Sequence, residues 1–204
     1  MHAARPLVAA GVMLLATSTC TRAQDRVREW WGVLGAGAGS ANIACDICTS
    51  GWKRAGPTLL ATVGEMLTPH FGVGFSLDQW WGSPTDTEAT SLGTVAVHYY
   101  PIRRAGAFFE AGVGYSRAEV ALDRNRTARA GGVGLMAAAG YDVRVVRSTD
   151  HDITLTPRVS YVFSPLGDLR YAAGSPPFAT GWRHQVLSAG LGVGFVFYRA
   201  HPFN

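Results

Sequence analysis

The sequence predicts an all-β protein: an eight-stranded antiparallel up-and-down β-barrel that crosses a membrane. Three observations predict it. Apolar residues recur at a period of two through most of the chain, the repeat of a strand and not of a helix. Charged residues make up only 16% of the 204, against roughly 25% in a typical soluble domain, so a water-covered surface would be poorly supplied. Beyond the first segment there is no apolar run of about 18 residues, which leaves a closed barrel as the only way to span lipid, because open sheet edges are not tolerated there.

Residues 1–23 read as a secretory signal peptide. His2 and Arg5 form the basic start, Pro6 to Ala16 the apolar stretch, and Thr21-Arg22-Ala23 the small-residue cleavage site. Cys20 suggests a lipoprotein site, but Thr17-Ser18-Thr19 before it fits that signal poorly. Cleavage leaves residues 24–204 as the barrel domain. Losing Arg5 and Arg22 leaves 16 basic and 14 acidic residues, a balance of +2, too mild for a nucleic-acid partner.

Eight strands are expected, at Glu29–Ser40, Pro57–Thr68, His70–Trp81, Thr90–Pro101, Ala105–Val120, Ala128–Val145, His151–Ser164 and Arg183–Tyr198. The alternation is clearest in Phe71-Gly-Val73-Gly-Phe75-Ser-Leu77, Phe109-Glu-Ala111-Gly-Val113-Gly-Tyr115, Ile153-Thr-Leu155-Thr-Pro157-Arg-Val159-Ser-Tyr161 and Leu187-Ser-Ala189-Gly-Leu191-Gly-Val193-Gly-Phe195. It is poorest in the first two strands. Most segments reach the ten or so residues that a tilted spanning strand needs. Connections alternate between short and long: turns at 68–70, 101–104 and 146–150, and loops at 41–56, 82–89, 121–127 and 165–182. Short periplasmic turns and longer outer loops are the plan of an outer-membrane barrel.

Side-chain size separates the faces. One face carries Phe71, Val73, Phe75, Leu77, Phe109, Val113, Leu155, Val159, Leu191, Val193 and Phe195; the other carries glycine, serine, threonine, Glu110 and Arg158. The large apolar set faces lipid, and the small and polar set fits a narrow interior. On this map Val113→Arg is costly and Gly114→Ala, facing inward, costs less. Two aromatic belts are expected. Trp30, Trp31, Phe71, Tyr99, Tyr100, Tyr141, Phe197 and Tyr198 would lie at the periplasmic end, and Trp80, Trp81, Tyr115, Tyr161, Phe163 and Trp182 at the outer end. The competing reading is ordinary core aromatics.

The signal, the eight alternating segments and glycine-rich endings such as Leu191-Gly-Val-Gly-Phe-Val-Phe-Tyr198 resemble the small outer-membrane β-barrel proteins, the group of the OmpA transmembrane domain, OmpX and the opacity proteins. The resemblance covers the whole mature chain and implies location in the bacterial outer membrane. It also implies assembly by the barrel-assembly machinery, contact with membrane lipid and lipopolysaccharide, and a monomer. One departure stands out. Such chains end on an aromatic residue closing the last strand, whereas this one continues through Arg199-Ala-His-Pro-Phe-Asn204.

Candidate chemistry is sparse. The glycine runs never complete G-x-G-x-x-G before a helix, so no nucleotide cofactor is expected, nor any other. Cys45-Asp-Ile-Cys48 falls in the first outer loop with no βαβ pattern around it, and a local disulfide is favoured over redox catalysis or zinc. Glu110, Arg158 and Arg144, with Asp142 beside it, point inward on the strand map; Glu65 and His98 are further candidates. Buried charges need partners, so these four form either a lumen ion-pair network that plugs the bore, or a gated pore or catalytic pair. Glu110 and Arg158 are expected to meet in a two-pronged pair. Arg124, Arg126 and Arg129 are either solvated or in contact with lipopolysaccharide phosphates. The expected function is a non-enzymatic outer-membrane barrel with a structural or surface-interaction role. The alternatives are a lipid-modifying barrel enzyme, for which His184 near Ser188 is the only pairing on offer, and a soluble secreted barrel binding a small apolar ligand.

Overall fold

The computed structural model describes residues 29–48, 51, 55–82, 88–102, 105–123, 126–171 and 174–198. The expected signal peptide and the tail after Tyr198 lie outside these residues. Among them the chain forms nine strands: β1 Glu29–Ala44, β2 Gly56–Met66, β3 Phe71–Trp81, β4 Glu88–Tyr99, β5 Ala107–Asp123, β6 Arg126–Tyr141, β7 Val143–Arg147, β8 His151–Leu169 and β9 Ala179–Tyr198. Consecutive strands pair antiparallel except β6 and β7, which do not pair with each other; β1 also pairs β9, and β6 pairs β8, which closes the ring. β6 and β7 are two halves of one barrel position, so the result is a closed eight-stranded barrel. The turns between β2 and β3, β4 and β5, and β7 and β8 lie at the end that also holds Glu29 and Tyr198.

All eight expected strands are present; the first runs on to Ala44 and the fifth to Asp123, and two further differences of extent have a visible cause. The sixth is interrupted at Asp142, whose amide bonds the Gly106 carbonyl at 2.9 Å. Beyond that point β5 offers no residue to pair, and β7 pairs β8 alone, with a bulge between Arg144 and Val146. Half of the long outer loop expected at 165–182 is strand. β8 runs to Leu169 and β9 starts at Ala179, through register shifts around Gly167, whose φ of 78° favours glycine. Such bulges break strict alternation, which is why the period-two reading stopped at Ser164.

The two faces separate as their side-chain sizes require. Phe75, Phe109, Val113, Val159 and Leu191 are exposed on the outside, whereas Ser76, Glu110, Thr156, Arg158 and Ser160 are buried inside. The gain from turning the large apolar residues outward is realised only if the surroundings are apolar too. Glu65 takes the outward parity of Val63, in register with Trp30 and Val73, and so stands apart from the lumen charges.

The interior is filled. Towards the outer end Ile43, Trp80, Leu92, Leu169, Trp182 and Val186 form one apolar cluster; at the opposite end Trp31, Met66, Tyr100 and Phe108 form another. This corrects the aromatic map. Trp30, Phe71, Tyr99, Trp81 and Tyr115 are exposed outward, but Trp31, Tyr100, Trp80 and Trp182 are buried in the lumen. Parity decides it: adjacent tryptophans on one strand must point to opposite faces. Gly114 is also corrected. It does face inward, but a Cβ there would overlap the Gly93 carbonyl oxygen. β4 and β5 approach too closely at this point for even a methyl group.

Candidate functional site

The middle of the lumen is a single polar layer. β3 supplies Ser76 and Asp78, β4 His98, β5 Glu110 and β8 Arg158, all at inward parity. Glu110 lies opposite Ala138 on β6, and Arg158 opposite Gly140. With nothing bulky between them the charged groups meet: Arg158 Nη2 is 2.9 Å from Glu110 Oε2. The pair is not two-pronged. Nη1 of Arg158 reaches Asp78 Oδ1 at 3.3 Å, on the opposite wall of the barrel. One guanidinium fork is therefore split between two carboxylates and spans the bore. Ser76 Oγ donates to Glu110 Oε1 at 2.5 Å, and His98 Nε2 stands 3.4 Å from Glu110 Oε2. Multiple charge-assisted contacts are what make such burial tolerable.

Arg144 and Asp142 belong to a different level. Asp142 accepts hydrogen bonds from Tyr100 Oη and Thr156 Oγ1, both at 2.9 Å. Arg144 Nε is 3.3 Å from Asp152 Oδ2, which also accepts from Tyr198 Oη at 2.5 Å. The four residues expected as one network are thus two layers, one at mid-lumen and one at the turn end. Asp78 was not among the expected lumen charges, although it continues the inward parity of Gly72, Gly74 and Ser76.

A cavity of about 30 Å³ borders each side of the middle layer, one lined by Asp78, Arg158, Ser160 and Ser188, the other by His98, Trp31, Phe108 and Asp142. Each has room for about two waters. Asp78 Oδ2, Arg158 Nε and His98 Nδ1 have no protein hydrogen-bond partner, and all three belong to residues that line these cavities.

The outer end carries three further features. Cys45 and Cys48 are joined by a disulfide, and the turn it closes is held to β9. Thr180 N donates to Asp46 Oδ1 at 3.0 Å and Thr180 Oγ1 to Asp46 Oδ2 at 2.8 Å, bonds that hold the exposed Asp46 carboxyl below its ordinary pKa. Freshly isolated mature protein should therefore show no free thiol at these two cysteines before reduction. Reduction should barely change barrel stability, since the loop is only a few residues long. Thiol titration with and without denaturant checks this, and a freely titrating thiol would contradict it.

His184 and Ser188 are not brought together. His184 is buried against Thr90 Oγ1 at 2.9 Å, and Ser188 Oγ lies 2.7 Å from Ser160 Oγ. Among the described residues no group of three His, Cys, Asp or Glu could hold a metal.

Of the arginines expected at the outer rim, Arg124 lies outside the described residues, and Arg126 is exposed in register with Asp123. Arg129 is instead coupled to a residue that sequence reasoning missed. Arg117 Nη2 and Arg129 Nε lie 2.6 and 3.1 Å from the same oxygen, Glu119 Oε1. The parity of Val113 and Tyr115 on β5 already placed Arg117 and Glu119 outside.

No protein-family model and no curated protein matches the chain. Among solved structures it is similar to Neisserial surface protein A, NspA, at 17% identity and a TM-score of 0.46, over 79% of this chain and 96% of that one. It is similar to Ail, the attachment invasion locus protein of Yersinia pestis, in complex with the heparin analogue sucrose octasulfate, at 12% identity and a TM-score of 0.49, over 82% and 99%. The outer membrane protein AlkL in DMPC bilayers matches at 12% and 0.48, over 94% and 100%.

Proposed function

We propose that this chain is a bacterial outer-membrane barrel, exported by a cleaved signal peptide, with a structural or surface-interaction role and no catalytic one. The observation that carries this is the pairing of an outward apolar wall with a lumen closed by the Glu110–Arg158–Asp78 layer. A soluble ligand-binding barrel would put its large apolar residues inside. A pore would not be crossed by an ion pair at mid-height. The short turns and both chain ends would face the periplasm, the long connections the exterior, and the barrel would be a monomer in contact with lipid and lipopolysaccharide. The barrel-assembly machinery would insert it.

The test combines fractionation with conductance. The mature protein should partition with outer membranes, migrate differently on gels before and after heating, and conduct little in planar bilayers. Labelled lipopolysaccharide incubated with it should keep all its acyl chains. Recovery from the soluble periplasmic fraction would overturn the membrane reading. A large steady conductance would make the protein a pore, and loss of an acyl chain would make it an enzyme.

A further inference from the structure

The outer end holds one reactive group for which the barrel wall and the lumen layer have no use, the Cys45–Cys48 disulfide. A disulfide stabilises a fold mainly by closing a loop of the unfolded chain, and the gain grows with the length of that loop. With a sequence separation of 3, this bond closes one of the shortest loops there can be. Nor does the turn need it as a fastening. The Asp46 amide donates to the Thr180 carbonyl at 3.2 Å, and Thr180 returns two hydrogen bonds, one from its amide and one from its hydroxyl, to the two Asp46 carboxylate oxygens. Within the turn the Ile47 amide donates to Asp46 Oδ1 at 2.9 Å and the Cys48 amide to the Cys45 carbonyl at 3.3 Å. None of these bonds involves sulfur. They would outlast the S–S bond and keep the two Cα atoms, 4.9 Å apart, inside the window of about 4.4–6.8 Å that a disulfide requires.

The sulfurs are also within reach. Cys45 and Cys48 are half-buried and pack on one side against the outer apolar cluster, while Asp46 and Ile47 between them are exposed. The Asp46 carboxylate, the charge nearest to an incoming thiolate, is drawn onto the two Thr180 donors. In the mature chain expected after cleavage these are the only two cysteines. Such a bond adds little to the fold, lies at the surface and stands on a scaffold that holds both sulfurs in place once it opens. It is suited to opening and closing again.

We infer that Cys45–Cys48 is a reversible thiol–disulfide exchange site for low-molecular-weight thiols, with the Asp46–Thr180 clasp as its positioning element. A thiolate bonds to one cysteine sulfur, the Cys45–Cys48 bond breaks, and the other cysteine leaves as a thiolate. A second thiolate then removes the first as a free disulfide. Two external thiols are oxidised to one disulfide, and their two protons and two electrons end on the cysteines. A small external disulfide runs the same steps backwards. The exchange is stoichiometric and needs no cofactor. It rests on the outer-membrane reading above only in placing this end of the barrel outside the cell.

The test incubates the folded mature chain in detergent with reduced glutathione, then with oxidised glutathione, and counts alkylated cysteines by mass spectrometry. Reduction should expose two thiols per chain through a transient glutathione adduct, with heat-modifiable mobility unchanged, and the oxidised form should restore the disulfide fully. Asp46→Ala should slow that closure about ten-fold, the size of one lost hydrogen bond to a charged group. Thr180→Val should slow it less, and Thr180→Ser, which keeps the hydroxyl, should close at the parent rate. A disulfide that glutathione opens only after denaturation would overturn the inference, as would an adduct that persists. Parent-rate closure in Asp46→Ala would overturn the role of the clasp. On intact cells, external glutathione followed by a polymer-linked maleimide too large to cross the outer membrane should label the chain. Exchange in detergent without labelling on cells refutes the outward placement alone, and resistance of the folded chain to glutathione refutes this inference alone.

Discussion

Arg158→Ala should destabilise the barrel more than Glu110→Ala. Removing the arginine strands two carboxylates, because Arg158 contacts both Glu110 and Asp78. Losing one side of a buried ion pair costs about 3–5 kcal/mol, most of it the price of an uncompensated charge. Water entering the bordering cavities would lower that figure. Removing Glu110 leaves Arg158 with Asp78 and Ser76 with Thr62 and takes the carboxylate away from His98, a loss of about 1–3 kcal/mol. The double variant should lose less than the sum, since the residues touch. Urea titrations in lipid vesicles give all three values. Additive losses, or a larger loss for Glu110→Ala, would contradict the bridged geometry. The same variants test the plug: Arg158→Ala removes a side chain that crosses the bore from wall to wall at mid-lumen, so its conductance should rise above that of the parent.

Val113→Arg should cost about 2–4 kcal/mol, the penalty for arginine on the lipid face near mid-membrane. Val113 is 53% exposed and lies in register between Val95 and Leu135, both exposed as well. Four residues further along the same strand Arg117 is native, so the wall changes character over about 13 Å of strand. A loss below about 1 kcal/mol in a folding titration into lipid would mean that Val113 does not meet hydrocarbon. Gly114→Ala is no mild control. Its methyl group would strike the backbone of β4, and overpacking of that kind costs about 1–3 kcal/mol. An inside position with room, such as Ser188→Ala, serves better.

Much of this was legible in the sequence, for one physical reason. In a barrel with unlike media on its two sides, parity assigns every residue of a strand once one residue is assigned. Phe71 to Leu77 and Leu187 to Phe195 fixed their strands in this way, and the inward positions of Glu110 and Arg158 followed. What parity cannot give is height. Glu110 and Arg144 share a face, yet stand on different levels because strands are staggered around the barrel, and stagger is a property of pairing. Nor does it give reach: the guanidinium could be expected on Glu110, but its second contact on the far wall depends on barrel width. Bulges are the other blind spot. Around Gly167 the alternation slips, and a strand looked like a loop. Two misses were avoidable. Asp78 and Arg117 follow from parities already established on their own strands. The aromatic belts were misdrawn at Trp31, Tyr100, Trp80 and Trp182 for the same reason in reverse, because residue type was allowed to outweigh parity.

The inside–outside assignment is the claim on which everything else rests, and the protein contains its own probes for it. Trp30 and Trp81 are 47% and 40% exposed, while their chain neighbours Trp31 and Trp80 are 7% and 2% exposed. Four single-tryptophan variants, with the remaining tryptophans changed to phenylalanine, can be refolded into vesicles containing lipids brominated near the head group. Fluorescence should be strongly quenched in the variants retaining Trp30 or Trp81, and nearly untouched in those retaining Trp31 or Trp80. Equal quenching of both members of each pair, or the reverse order, would contradict the assignment.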